Sequence, residues 1–166
     1  MLYELTLRAA AITRGSSTRL LVNDRADIAQ AAGADGVHLT GRSLEAALVR
    51  GAFGKHLLIG VSTHSLAEAR AAREGGADFV VFGPVFETSS KRIYGEPVGL
   101  EKLEEVAREM ASFPVVALGG ITLKNALDCI RAGASGIAAI RLFSDSEGLD
   151  KAVEAMRRSD GDNQEL

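Results

Sequence analysis

The sequence predicts an α/β fold with a parallel sheet, on the strength of two patterns. Six short apolar runs, at 20–22, 36–39, 57–61, 79–82, 115–118 and 136–140, are mostly continuous rather than alternating. Continuous runs suit strands covered on both faces, as parallel sheets are. Between them Ala, Leu, Val and Ile recur at helical spacing over 26–32, 43–50, 66–74, 100–110, 123–131 and 149–157. Strand then helix, six times over, means α/β.

A local repeat sets the phase of these units. Gly33-Ala34-Asp35-Gly36-Val37, Gly76-Ala77-Asp78-Phe79-Val80 and Gly133-Ala134-Ser135-Gly136-Ile137 all stand where a helix gives way to a strand. Glycine there can take the left-handed conformation that stops a helix. Such loops favour these residues in any α/β protein, but three copies in one phase favour a repetitive βα architecture. A doubly wound sheet is one solution. A (β/α)8 TIM barrel fits the repetition better, and its functional side is the set of loops after the C-terminal ends of the strands.

Composition narrows the function classes. The chain has 166 residues, 46% hydrophobic and 25% charged, as an ordinary globular domain does. One domain over 1–158 is expected, followed by a polar, disordered tail at 159–166. The formal net charge of −3 gives no reason to expect a nucleic-acid or anionic-membrane partner. The single cysteine, Cys129, excludes an internal disulfide framework, and no Cys/His cluster suggests structural zinc. No apolar run has the length of a transmembrane helix, and residues 1–14 lack the pattern of a signal segment. A cytoplasmic protein is expected.

The loops after the strands carry the chemistry. Asn23-Asp24-Arg25 follows the first strand, where Asn or Asp can cap a helix. Thr40-Gly41-Arg42-Ser43 follows the second and is also cap-like. Ser62-Thr63-His64-Ser65 follows the third; Ser65 with Glu68 fits a capping box, which leaves Ser62 without a structural task. The fourth loop, 83–97, is the longest, and loops of that length are usually functional or disordered. In it Thr88, Ser89, Ser90 and Lys91 offer hydroxyls and a cation that suit a phosphate or pyrophosphate, with a solvated loop as the alternative. Gly119-Gly120-Ile121-Thr122 opens the next helix, allowing close backbone approach and presenting free N–H groups to an anion. Arg141 lies after the sixth strand, and barrels often build a phosphate site from their last two loops. His38 reads as a packed strand residue and His64 as a helix-start residue. No Ser/His/Asp spacing supports a hydrolase triad.

Six motifs in order then resemble one family. They are Leu21-Val22-Asn23-Asp24-Arg25, Gly33-Ala34-Asp35-Gly36-Val37-His38-Leu39, Gly60-Val61-Ser62-Thr63-His64, Phe82-Gly83-Pro84-Val85-Phe86-Glu87-Thr88 with Lys91, Ala117-Leu118-Gly119-Gly120-Ile121, and the Gly133 repeat. The sequence resembles the thiamine phosphate synthases and the related thiazole tautomerases, which are (β/α)8 barrels. The resemblance implies a transferase joining hydroxymethylpyrimidine diphosphate to thiazole phosphate. Pyrophosphate leaves first, and the thiazole nitrogen captures the resulting carbocation. By the same resemblance Asp24, with Asn23 beside it, would hold Mg²⁺, and Ser62 and Lys91 would contact the leaving pyrophosphate. Thr88, Ser90 and the amides of Gly119 and Gly120 would take the thiazole phosphate.

The sequence departs from the family pattern in four places. Ser43 stands where the synthase has a second metal-binding acid. Arg141 replaces a small residue at the end of the last strand, although an arginine can still grip a phosphate bidentately. Pro84 stands where the tautomerase has His, while Phe86-Glu87-Thr88 resembles the tautomerase more than the synthase. Finally, the family's opening strand, helix and second strand, the last carrying a Gln-Arg-Glu-Lys-like site, have no counterpart before residue 20; residues 1–14 resemble the helix that follows that second strand. The expected fold is therefore a TIM barrel lacking its N-terminal two βα units. Either its start has been lost or a partner closes the sheet, a homo-oligomer being one possible form. A thiazole tautomerase and a non-catalytic binder of phosphorylated small molecules are the rival readings.

Overall fold

A computed structural model describes residues 1–88, 96–144, 148–151 and 153–154. Ser90, Lys91 and the expected tail at 159–166 lie outside the described residues. The chain divides into two compact units, Met1–Val81 and Phe82–Leu166.

The first unit runs α1 (Leu2–Thr13), β1 (Leu21–Asn23), α2 (Ala26–Ala32), β2 (Gly36–Leu39), α3 (Ala46–Phe53), a 3-10 turn, β3 (Leu58–Thr63), α4 (Leu66–Glu74) and β4 (Phe79–Phe82), whose last residue opens the second unit. Its strands lie in chain order. β1 and β2 are parallel with Val22 opposite Val37, and β2 and β3 are parallel with Val37 opposite Ile59. Val37, Ile59, Val80, Ala29 and Ala69 are fully buried and form the core of this unit. The residues expected to follow a second strand do form a helix, α1, which packs on α2.

The second unit contains α5 (Gly99–Glu109), β5 (Val115–Leu118), α6 (Ala126–Arg131), β6 (Gly136–Ala138) and α7 (Ile140–Ser144). β5 and β6 are parallel with Ala117 opposite Ile137. Phe82, Leu103, Met110, Ala117 and Cys129 are fully buried. Residues 149–151 and 153–154 are helical, within the last predicted helix.

The architecture is α/β with six strands among the described residues, not a complete (β/α)8 barrel. Several boundaries differ from those expected, and three of the shifts bear on the site. The helix anticipated from 43 starts at Ala46, because Ser43 bonds Asp24 and Thr40 instead of capping. The helix anticipated from 123 starts at Ala126, since Asn125 Oδ1 accepts the Thr122 N–H at 2.7 Å and closes a turn there. The last strand stops at Ala138, which places Arg141 in α7 rather than in a loop.

The repeat has a physical explanation. Gly33, Gly76 and Gly133 all have positive φ, at 69°, 83° and 89°, as the sequence requires. The polar residue two positions later then makes a pair of bonds to one residue of an earlier strand or its edge. Asp35 donates its N–H to Leu20 O at 2.9 Å while its carboxylate accepts the Leu20 N–H at 2.8 Å. Asp78 does the same to Ile59, at 2.8 and 2.7 Å, and Ser135 to Val115, at 2.8 and 3.3 Å. Each copy thus pins the register of one strand against its neighbour.

Candidate functional site

In the first unit, the ends of β1, β2 and β3 bring together a polar cluster. Asn23 is the exposed last residue of β1, level with His38 of β2. Asp24 follows it with φ 59°, a conformation uncommon outside glycine that aspartate tolerates better than most residues. Its N–H donates to His38 O at 2.9 Å, which holds the turn. Asp24 does not cap α2; Arg25 is the N-cap residue and makes no side-chain cap bond. Instead Asp24 Oδ1 accepts a hydrogen bond from Ser43 Oγ and a long one, 3.4 Å, from Thr40 Oγ1. Ser43 Oγ in turn accepts the Thr40 N–H at 2.7 Å. Ser43, which stands where the family has a second metal-binding acid, is therefore tied to the Asp24 carboxylate.

Ser62 is not idle. The half-buried His38 has its Nε2 2.8 Å from Ser62 Oγ, a hydrogen bond whose donor is set by the histidine tautomer. His38 and Thr40 are the residues that reading the sequence missed. Register supplies the signal that could have found the first: His38 is level with Gly60, and strand alternation puts Ser62, two residues on, on the same face. Half of the predicted capping box is present, and the Glu68 carboxylate reaches one residue beyond the Ser65 cap. Ser65 Oγ accepts the Glu68 N–H at 3.2 Å, and Glu68 Oε2 accepts the His64 N–H at 2.7 Å.

The second unit holds the other described candidates. Arg141 Nη2 donates to Thr88 Oγ1 at 3.3 Å, which joins two of the expected phosphate ligands. Gly119 and Gly120 have φ 104° and 64°. A Cβ on Gly119 would stand 2.5 Å from Pro84 Cα, and one on Gly120 would stand 2.6 Å from Glu87 O. Their small size thus serves the packing of the loop that carries Thr88. They do not sit at a helix start, because α6 opens only at Ala126. Loop amides rather than a helix terminus are what this turn presents.

The remaining chemistry is limited. Burial pushes the Cys129 thiol up to about 11, with Asp128 adding to the effect, so it is protonated and a poor nucleophile at neutral pH. Among the described residues no group of three or more His, Cys, Asp or Glu side chains could hold a metal by itself. No helix is long and apolar enough to cross a membrane among those residues.

Residues 1–143 match the family model described as thiamine monophosphate synthase. The thiamine-phosphate synthase of Chlorobium limicola is 46% identical over 143 residues, covering 86% of this chain and 68% of the relative. That of Chloroflexus aurantiacus is 41% identical over 154 residues, covering 93% of this chain and 70% of the relative. Among solved structures, thiamine phosphate pyrophosphorylase from Pyrococcus furiosus superimposes with a TM-score of 0.84 at 35% identity, covering 95% of this chain and 75% of that one.

Proposed function

The chain belongs to the thiamine monophosphate synthase family, and from that premise we propose that it is a cytoplasmic transferase joining hydroxymethylpyrimidine diphosphate to thiazole phosphate. The observation that carries the reading is the Asp24 carboxylate at the end of β1, oriented by the Ser43 and Thr40 hydroxyls beside the His38–Ser62 pair.

The reaction breaks the bond between the pyrimidine methylene carbon and the diphosphate oxygen. Its electron pair leaves with pyrophosphate, and the thiazole nitrogen lone pair then forms the new C–N bond. Such a reaction needs positive charge and hydrogen-bond donors at the departing oxygens. Ser62 serves there as a donor, its oxygen accepting from His38 Nε2–H so that its own proton is free for the leaving oxygens, and Lys91 as a cation. Thr88, Ser90, Arg141 and the Gly119-Gly120 turn bind the thiazole phosphate, and the Arg141–Thr88 bond supports that grouping.

The donor set at Asp24 fits Mg²⁺ of one kind only. Magnesium is commonly held by one or two carboxylates with substrate phosphates and water completing its shell, and Asp24 with Asn23 beside it supplies such a partial set. An all-protein cage would need more acids than this cluster has. When bound, Mg²⁺ supplies charge that offsets the negative charge growing on pyrophosphate.

The test is incubation with both substrates across a Mg²⁺ titration, with thiamine phosphate as the readout. Product that rises with Mg²⁺ and disappears with chelator is expected, and Asp24→Asn should lower the apparent Mg²⁺ affinity by about 10-fold or more. No product at any Mg²⁺ concentration would overturn the synthase reading. Metal-free tautomerisation of a thiazole carboxylate phosphate would replace it with an isomerase.

A further inference from the structure

The turn after β2 carries a cation that the cluster around Asp24 leaves uncommitted. Arg42 stands between Gly41 and Ser43, and the Ser43 N–H donates to Thr40 O at 3.0 Å to close the turn. The Arg42 N–H donates to Thr40 Oγ1 at 3.4 Å, the same hydroxyl that bonds Asp24 Oδ1. Ser43 Oγ ties the other side of the turn to that carboxylate. The backbone of Arg42 is thereby held beside Asp24 from both flanks. Its side chain is exposed, and among the described residues it has no hydrogen bond or ion pair. Arg25, the other arginine at these strand ends, is committed: it grips the Asp27 carboxylate in two bonds, at 2.8 and 2.6 Å. The fold itself makes no use of the Arg42 guanidinium.

We propose that Arg42 binds the diphosphate group of the substrate and gives this chain an affinity for it that does not depend on Mg²⁺. The inference rests on the synthase reading for the identity of the substrate, while its test needs no turnover. Asp24 alone repels a diphosphate when no cation stands between them. Ser43 adds no second carboxylate, so the turn recruits less metal charge than a pair of acids does. A guanidinium beside Asp24 supplies the missing attraction from the protein. It matches two phosphate oxygens with parallel hydrogen bonds and stays charged at any working pH. A diphosphate seated on the turn also covers the guanidinium, and such bonds strengthen as water is excluded.

The probe is inorganic pyrophosphate, titrated calorimetrically into the full chain in EDTA and again with Mg²⁺. Pyrophosphate should bind in EDTA, and Arg42→Ala should weaken that binding about tenfold or more, the loss of a charged hydrogen-bond donor. Arg42→Lys, which keeps the charge and loses the fork, should fall between the two. Arg8→Ala, at an exposed position of α1, removes the same net charge and should change nothing. With Mg²⁺ present the deficit of Arg42→Ala should narrow. Its Tm should match the parent's, since the side chain has no partner among the described residues to lose. The proposal is overturned by pyrophosphate that binds only with Mg²⁺, by an affinity unaltered in Arg42→Ala, or by an equal loss in Arg8→Ala. Arg42-dependent pyrophosphate binding without any thiamine phosphate formed would instead overturn the synthase reading alone.

Discussion

Replacing Asp78 by Ala should destabilise the protein mainly by stranding a strand N–H, not by breaking an ion pair. Asp78 Oδ2 accepts the Ile59 N–H at 2.7 Å and Arg50 Nη2 at 2.6 Å. Ile59 is fully buried, so its amide would lose its partner at a cost of about 1–3 kcal/mol. The ion pair is worth less. Asp78 is 40% exposed, and pairs open to solvent contribute about 0–1 kcal/mol. Arg50 also keeps its bonds to the carbonyls of Gly76, Gly54 and Leu57 when Asp78 is gone. The expected total is about 1–4 kcal/mol for Asp78→Ala. Asp78→Asn retains a carbonyl oxygen for Ile59 and should lose under about 1 kcal/mol. Ser135→Ala, at the same place in the repeat with a longer, uncharged bond of 3.3 Å, should lose about 1 kcal/mol. Urea unfolding reads these differences. With slopes of about 1–3 kcal/mol per M, Asp78→Ala should move the midpoint by about 1 M at unchanged slope. An Asn variant as damaged as the Ala variant would refute the reasoning and assign the energy to Arg50.

Three further outcomes follow from the same geometry. The Leu20 N–H, with Arg19 assisting, holds the Asp35 carboxyl below the usual carboxylate range; a depressed carboxyl stabilises the fold above its unfolded value and loses that contribution as pH falls through the folded one. The stability difference between the protein and Asp35→Asn should thus be constant above about pH 5 and shrink below about pH 4, and urea unfolding at stepped pH showing a pH-independent difference would remove Asp35 from the account. Gly120→Ala should cost about 1–3 kcal/mol, since φ is 64° and the new Cβ would meet Glu87 O, a backbone atom that cannot swing away; a thermal melt unchanged from the parent would contradict this. Arg141→Ala should raise KM for thiazole phosphate about tenfold with a smaller effect on kcat, because one charged hydrogen-bond donor is lost from ground-state binding, and steady-state kinetics that move only kcat would refute that role.

Much of the fold could be read from the chain because its signals are local. Strand–helix alternation and the left-handed glycines depend on a few consecutive residues, and β2, β4 and β5 have the expected bounds. The membership of the site was legible in part for the same reason, since Asp24 and Ser62 each stand just where a strand ends. What each side chain does there is a different matter. Asn23-Asp24 and Ser43 had the local chemistry of helix caps, and in isolation a cap is the nearest source of unpaired N–H groups. Parallel pairing put Asp24 against the Thr40–Ser43 turn and His38 against Ser62, partners 19 and 24 residues apart that no local window contains. Likewise, the Gly-Ala-Asp repeat announced a junction, but only the neighbouring strand showed that its aspartate pins the register. Local conformation is set by steric and hydrogen-bond preferences along the chain. The partner of a polar side chain is set by which strand lies beside it, and tertiary packing alone decides that.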